Sequence, residues 1–217
     1  MKPRCWLCGL LAALCAGCGG GSPDEPPAAP APRVIEFYGD SLTFGSIEGP
    51  AGSLTRLAVP PVRRAQELLG DAALCVDLSL PGATVADALA GVAMMPFGRF
   101  ADHVRTTQAS TLVIRYGGAD AMRGTQLADF ERDLGEMVSL AQAAGKTVLL
   151  VGVIATTTGV TDDYDLAVER AADAFGTGFI DVRAVPVTWP DDLADDVHPA
   201  QAWSDRIMAL IAKSLGA

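Results

Sequence analysis

The chain reads as an α/β protein built on a parallel sheet, and three observations carry that reading. Apolar runs bounded by turn residues alternate with stretches of helical periodicity, and such alternation implies the crossover connections that parallel strands need. Half of the 217 residues are apolar, enough for one α/β core and short for two full domains. The polar residues with chemical potential follow predicted strands, on the rim where ligands collect in open α/β sheets.

Taken in order, residues 1–18 have the layout of an export signal, with Lys2 and Arg4 at a basic start, an apolar stretch from Trp6 to Ala16, and small residues before Cys18. The stretch is roughly a dozen residues, below the ~20 that a bilayer-spanning helix requires. Ala16-Gly17-Cys18 followed by Gly19-Gly20-Gly21-Ser22 resembles a bacterial lipoprotein processing box, in which the cysteine becomes the lipidated first residue. Cys15 departs from the leucine usual three residues before it, which leaves ordinary signal cleavage as the alternative. The expected setting is therefore export to the cell envelope with a membrane anchor on Cys18. Gly19, in place of aspartate, leans by analogy towards an outer-membrane or periplasm-facing location. Residues 19–33 hold five prolines between Pro23 and Pro32 and too little apolar surface to fold. They read as a tether, semi-extended at about 3 Å per residue and long enough to hold the domain roughly 30 to 45 Å from a membrane.

The domain, 34–217, offers five candidate strands at 34–38, 74–80, 111–116, 147–154 and 179–182. Helical patterns lie at 61–69, 85–89, 127–144, 164–174 and 199–215. Helices between parallel strands cover both faces of the sheet. Residues 90–108 give no clear assignment; Met94, Met95, Phe97 and Phe100 there read first as core packing and second as an acyl pocket or lid.

The formal charge is −10, and Lys2 and Arg4 belong to the leader. A surface so acidic disfavours nucleic acid, whose phosphates need clustered Lys and Arg. Cys75 is the one cysteine past Cys18, so no intramolecular disulfide forms within the domain, and its apolar neighbours predict a buried, inert thiol. With two histidines and no second cysteine there, a zinc site is not expected. His103, among Arg99, Asp102 and Arg105, reads as a surface residue.

Two segments carry the chemistry. Ser41 stands at a strand-to-helix turn in Gly39-Asp40-Ser41-Leu42-Thr43-Phe44-Gly45, where backbone amides and a helix dipole favour developing negative charge. The bland reading is a helix cap. His198, in Asp195-Asp196-Val197-His198-Pro199, changes the balance, because a serine becomes nucleophilic when a base takes its proton and an acid fixes that base's tautomer. The proline after it suits the first turn of a final helix. Asp195 can orient the imidazole, with Asp191, Asp192 and Asp196 as neighbouring competitors.

These segments together, Gly39 to Thr43 and Asp195-x-x-His198, resemble the SGNH (GDSL-type) hydrolases over nearly the whole domain. The resemblance implies a three-layer α/β/α, flavodoxin-like fold that hydrolyses esters, thioesters or sugar acetyl groups. It implies Ser41 as nucleophile, His198 as base, Asp195 as its orienter, and oxyanion donors in the amides of Ser41 and Gly82, the latter in Ser79-Leu80-Pro81-Gly82-Ala83-Thr84. One block departs. Where the family carries Gly-x-Asn-Asp, this chain has Gly117-Gly118-Ala119-Asp120, so Ala119 replaces an oxyanion-binding amide. Losing one such donor typically costs on the order of 3 kcal/mol of transition-state stabilisation. Arg123 and Thr156, on rim loops, are candidates to fill the gap, and Arg115 lies in the preceding strand. Thr156, Thr157, Thr158 and Trp189 are candidate substrate contacts. The expectation is a serine esterase acting on lipid or glycan esters through an acyl-serine, with no cofactor and no metal. The alternatives are a non-catalytic glycan- or acyl-binding domain and an O-acyltransferase.

Overall fold

The computed structural model describes residues 31–49, 52–92 and 94–217. The expected leader, the Cys18 box and nearly all of the tether lie outside the described residues. Among the described residues no helix is long and apolar enough to cross a membrane.

Five parallel strands form the main sheet: β1 (Arg33–Gly39), β4 (Ala73–Asp77), β5 (Thr111–Arg115), β6 (Thr147–Val151) and β7 (Gly178–Ile180), in the order β4-β1-β5-β6-β7. The strands fall on the predicted apolar runs: β1 is one residue longer at each end, and the other four stop one to three residues short at their carboxyl ends, where the chain turns into the rim loops. α2 (Pro61–Leu69) and α8 (Gln201–Ser214) pack together on one face. α3 (Val85–Ala90), α4 (Phe100–Thr106), α6 (Leu127–Ala143) and α7 (Asp162–Phe175) cover the other. The result is the expected three-layer α/β/α fold.

β1 shows how alternate residues serve the two layers. Phe37 faces the same small cavity as Met208 and Ile211 of α8, while Tyr38 meets the rings of Phe97 and Phe100 edge-on. Glu36, buried on the Tyr38 side, is satisfied by the Tyr38 hydroxyl, the Thr107 hydroxyl at 2.5 Å and His103 Nε2 at 3.1 Å. His103 is thus half-buried and paired, not the surface residue expected. Glu36 lies 67 positions away in sequence, so nothing local signals the pairing.

Segment 90–108 resolves into core: Phe100 is fully buried and Met95 nearly so, and α4 carries Phe100 into the sheet. Met94 is exposed at positive φ. None of Met94, Met95, Phe97 and Phe100 lines the cavity at Ser41. Four short elements lie outside the predicted strands and helical patterns: α1 (Ser41–Phe44), at the strand-to-helix turn, the antiparallel pair β2 (Ser46–Glu48) and β3 (Leu54–Arg56), and α5 (Gly118–Met122). Cys75, expected buried, is half-exposed on the edge strand β4, and burial of its sulfur still pushes the thiol up to about 11.

Candidate active site

The register Gly39↔Arg115 aligns the ends of β1 and β5 and brings the turns after them together. Gly39 is required by this approach, because a Cβ there would stand 2.1 Å from Thr43 Oγ1 and 2.5 Å from the Arg115 carbonyl. Asp40, fully buried, caps α1 by accepting from the Leu42 amide at 2.9 Å. Its second oxygen accepts from the Ala119 amide at 2.9 Å, tying the serine turn to the start of α5. Burial raises the Asp40 carboxyl above its ordinary range, against the pull of the Ala119 and Leu42 amides and the nearby Arg115 cation. Arg115 lies beneath the turn, where Nη1 donates to the Leu42 carbonyl at 3.3 Å; burial pushes its guanidinium down to about 10.

Ser41, first residue of α1, donates to His198 Nε2, the two atoms being 3.0 Å apart. His198 Nδ1 faces both Asp195 oxygens, at 2.8 and 3.0 Å. A ring whose Nδ1 points at a carboxylate carries its proton there and leaves Nε2 bare towards the hydroxyl. Asp195 accepts further from the amides of Val197 at 2.9 Å, His198 at 2.7 Å and, across from the hairpin, Glu48 at 2.9 Å. Burial pushes this carboxyl up, but the Val197 amide, the His198 ring, and the His198 and Glu48 amides outweigh it, so it sits below the usual carboxylate range.

The final helix starts at Gln201 and not at 199 as expected, so its first turn does not fix His198. The imidazole is instead held by a closed loop, with a bridge between Leu193 and Pro199 and the Ala194 amide donating to the His198 carbonyl at 2.8 Å. Of the competing acids, Asp192 is taken by Arg206 at 2.6 Å and the Thr188 amide at 2.6 Å, and Asp191 and Asp196 are exposed.

Ser41 and His198 open onto a cavity of about 210 Å³ whose walls include Leu42, Gly82, Ala119, Met122, Arg123, Ile154, Thr156 and Thr161. Gly82 adopts φ +75, a left-handed conformation that favours glycine, and this turns the loop after β4 towards Ser41. Ala119 presents its methyl group to the cavity, its amide being committed to Asp40. A second hollow of about 390 Å³ lies against His198, Met122 and Val197 and is lined by Glu48, Leu54, Thr158, Asp195 and Asp196. Thr156 and Thr158 therefore reach these hollows; Thr157 is exposed beside them, and Trp189 packs edge-on against Trp203 instead. Sequence reasoning missed Asp40 and Glu48. Asp40 had a signal, its place just before a helical turn, whereas Glu48 acts through its amide and had none.

Solved structures with this architecture include a carbohydrate acetylesterase, Est24, from Sinorhizobium meliloti (17% identity, 84% of this chain and 98% of that one, TM-score 0.67). An aryl esterase of M. smegmatis (17%, 84% and 98%, TM-score 0.69) and a lipase/acylhydrolase of Enterococcus faecalis (22%, 84% and 95%, TM-score 0.66) are similar. No curated protein matches the chain. At these identities the likeness speaks for the fold. The stronger finding is in the sequence itself: from the strand that leads to Ser41 to the helix that follows His198, residues 37–204 match the model of the GDSL-like Lipase/Acylhydrolase family, and the chain belongs to that family.

Proposed function

We propose that the chain is a serine esterase that cleaves carboxylic esters, acyl or O-acetyl groups on lipids or glycans, through an acyl-serine intermediate. The observation that carries this reading is the hydrogen-bonded series from Ser41 Oγ through His198 to Asp195, with the hydroxyl 3.0 Å from Nε2. In the reaction Ser41 Oγ bonds to the ester carbon while Nε2 takes the hydroxyl proton. The carbonyl oxygen, now negative, is held by the amides of Ser41 and Gly82. As the C–O bond breaks, Nε2 returns the proton to the departing alkoxide. Water then attacks the acyl-serine, its proton passing to Nε2 and on to Ser41 Oγ as the acid leaves. The small, largely apolar cavity at Ser41 suits a short acyl group, and the hollow on the far side of His198 suits the alcohol that Nε2 must protonate. Export, a lipid anchor on Cys18 and an outer-membrane or periplasm-facing location complete the proposal, on the strength of the leader's composition.

The Ala119 methyl favours a second reading, a glycan- or acyl-binding domain that retains the pocket without turnover. The two separate in one assay. The protein and its Ser41→Ala variant are tested on nitrophenyl acetate and longer esters and on acetylated sugars, and challenged with a fluorophosphonate. The esterase reading expects hydrolysis and labelling that both vanish in the variant; equal traces from the two proteins would leave the binding domain.

A further inference from the structure

An acyl-transfer site must stabilise an oxyanion, and here the donors beside Ser41 are few. The Ala119 amide is committed to Asp40 and its side chain is a methyl group. One turn along lies Arg123, whose amide donates to the Ala119 carbonyl at 3.0 Å, so the two residues share a helical face. As the C-cap of α5, Arg123 forms part of the same cavity wall as Ser41, Gly82 and Ala119. Its Nη2 stands 3.7 Å from where a Cβ on Gly82 would be. Asp87 fixes it there: Oδ2 of that carboxylate accepts from Arg123 Nη1 at 2.9 Å and from the Thr84 amide at 3.1 Å. One acid thus holds the guanidinium and the Gly82 loop in a common frame, itself locked by the Thr84 and Asp87 capping box at the start of α3. Among the described residues Asp87 is the hydrogen-bond partner of the Arg123 guanidinium, and Nη2 lies beside Gly82.

We infer that Arg123 stabilises the oxyanion of the acyl-transfer step, supplying from position 123 the charge that position 119 lacks. The inference rests on the esterase reading above. Ester hydrolysis passes through an anion at the carbonyl oxygen, and a cation beside Gly82 on the wall of the Ser41 cavity meets that charge only as it develops, so its effect falls on kcat. The Arg123 side chain is more than half exposed, and solvent screening reduces its effect below that of an enclosed donor.

The test is a double-mutant cycle on nitrophenyl acetate with Arg123→Gln, Arg123→Lys, Ala119→Asn and Ala119→Asn/Arg123→Gln, beside Ser41→Ala. Arg123→Gln is expected to lower kcat by about tenfold with KM within about twofold. Arg123→Lys, which keeps the charge, loses less. In the Ala119→Asn background, where an amide fills the same space, the Arg123→Gln loss shrinks to under about threefold. A loss equal in both backgrounds, a loss confined to KM, or no loss overturns the inference. If Ser41→Ala is inactive while Arg123→Gln is not slowed, the esterase reading stands and the role of Arg123 falls. If the unmodified protein is no faster than Ser41→Ala, both fall.

Discussion

Asp195 accepts on both oxygens, and the direction of those bonds decides what an amide would do in its place. Oδ1 takes the Val197 and His198 amides, and Oδ2 takes the Glu48 amide and the closer approach of the ring. In Asp195→Asn the NH2 group avoids the two amides at Oδ1 and turns to the Oδ2 side, where it gives up the single bond from the Glu48 amide and faces His198 Nδ1. A donor there forces the ring into the other tautomer, with the proton on Nε2 and no lone pair for Ser41. Turnover on nitrophenyl esters should fall by roughly 10³–10⁴ with KM little changed; a loss below tenfold would remove Asp195 from this role. The three side chains of this series were legible in sequence because each is a polar residue beyond the end of a predicted strand. The choice of Asp195 over its acidic neighbours was not, since it depends on Arg206 claiming Asp192 and on the Glu48 amide arriving from a separate hairpin.

That hairpin is held by Arg56, which links three elements at once. Its Nε donates to the Phe44 carbonyl of α1 at 2.7 Å, its Nη2 pairs with Asp77 of β4 at 2.5 Å, and its guanidinium lies 3.9 Å over the Phe44 ring. Arg56→Ala should cost about 1–3 kcal/mol by urea unfolding, and it should slow ester turnover by freeing the strand that carries Glu48 to Asp195. Arg56→Lys should recover only part of both, because an ammonium cannot make the two bonds and stack together. Unchanged unfolding in Arg56→Ala would mean the hairpin is held by its β2–β3 pairing alone. Elements of this kind explain where the sequence reading ran out. The main strands and the long helices announce themselves by apolar period, as α6 does with Phe130, Leu134, Met137, Val138 and Ala141 on its buried side. The three-residue strands β2 and β3 and the four-residue α1 are too short to show a period, and they are fixed by contacts far away in sequence. Segment 90–108 was obscured by Gly91, Pro96 and Gly98, which break the pattern just before α4 begins.

At the scale of the molecule, the chain reverses its direction of travel across the sheet between β1 and β5, and the candidate site sits at that switch point. The turn after β1 and the short helix after β5 carry the carboxyls of Asp40 and Asp120 into the interior there. Burial pushes Asp120 up to about 7 and the Asp40 charge adds to this, while hydrogen bonds from the Val85 amide at 3.4 Å and from its own amide pull the other way. Linkage gives the sign. An acid whose folded pKa lies above its unfolded value binds its proton more tightly when folded, so its stability contribution is complete below the ordinary value of 3.8 and is lost as pH rises to about 7. Burial likewise raises Asp40 and Asp165, which act in the same direction. Asp195 is lowered instead, and its contribution is lost only as pH falls through and below the ordinary carboxylate range. Stability measured by urea unfolding should therefore decline from pH 5 to pH 8, with Asp120 responsible for on the order of 2–4 kcal/mol. Asp120→Asn keeps an oxygen for the Val85 amide and removes the titration, so it should be more stable than the parent at pH 8 and closest to it at pH 5. Parallel pH profiles for the two proteins would place the titration at other groups and return Asp120 to an ordinary carboxylate.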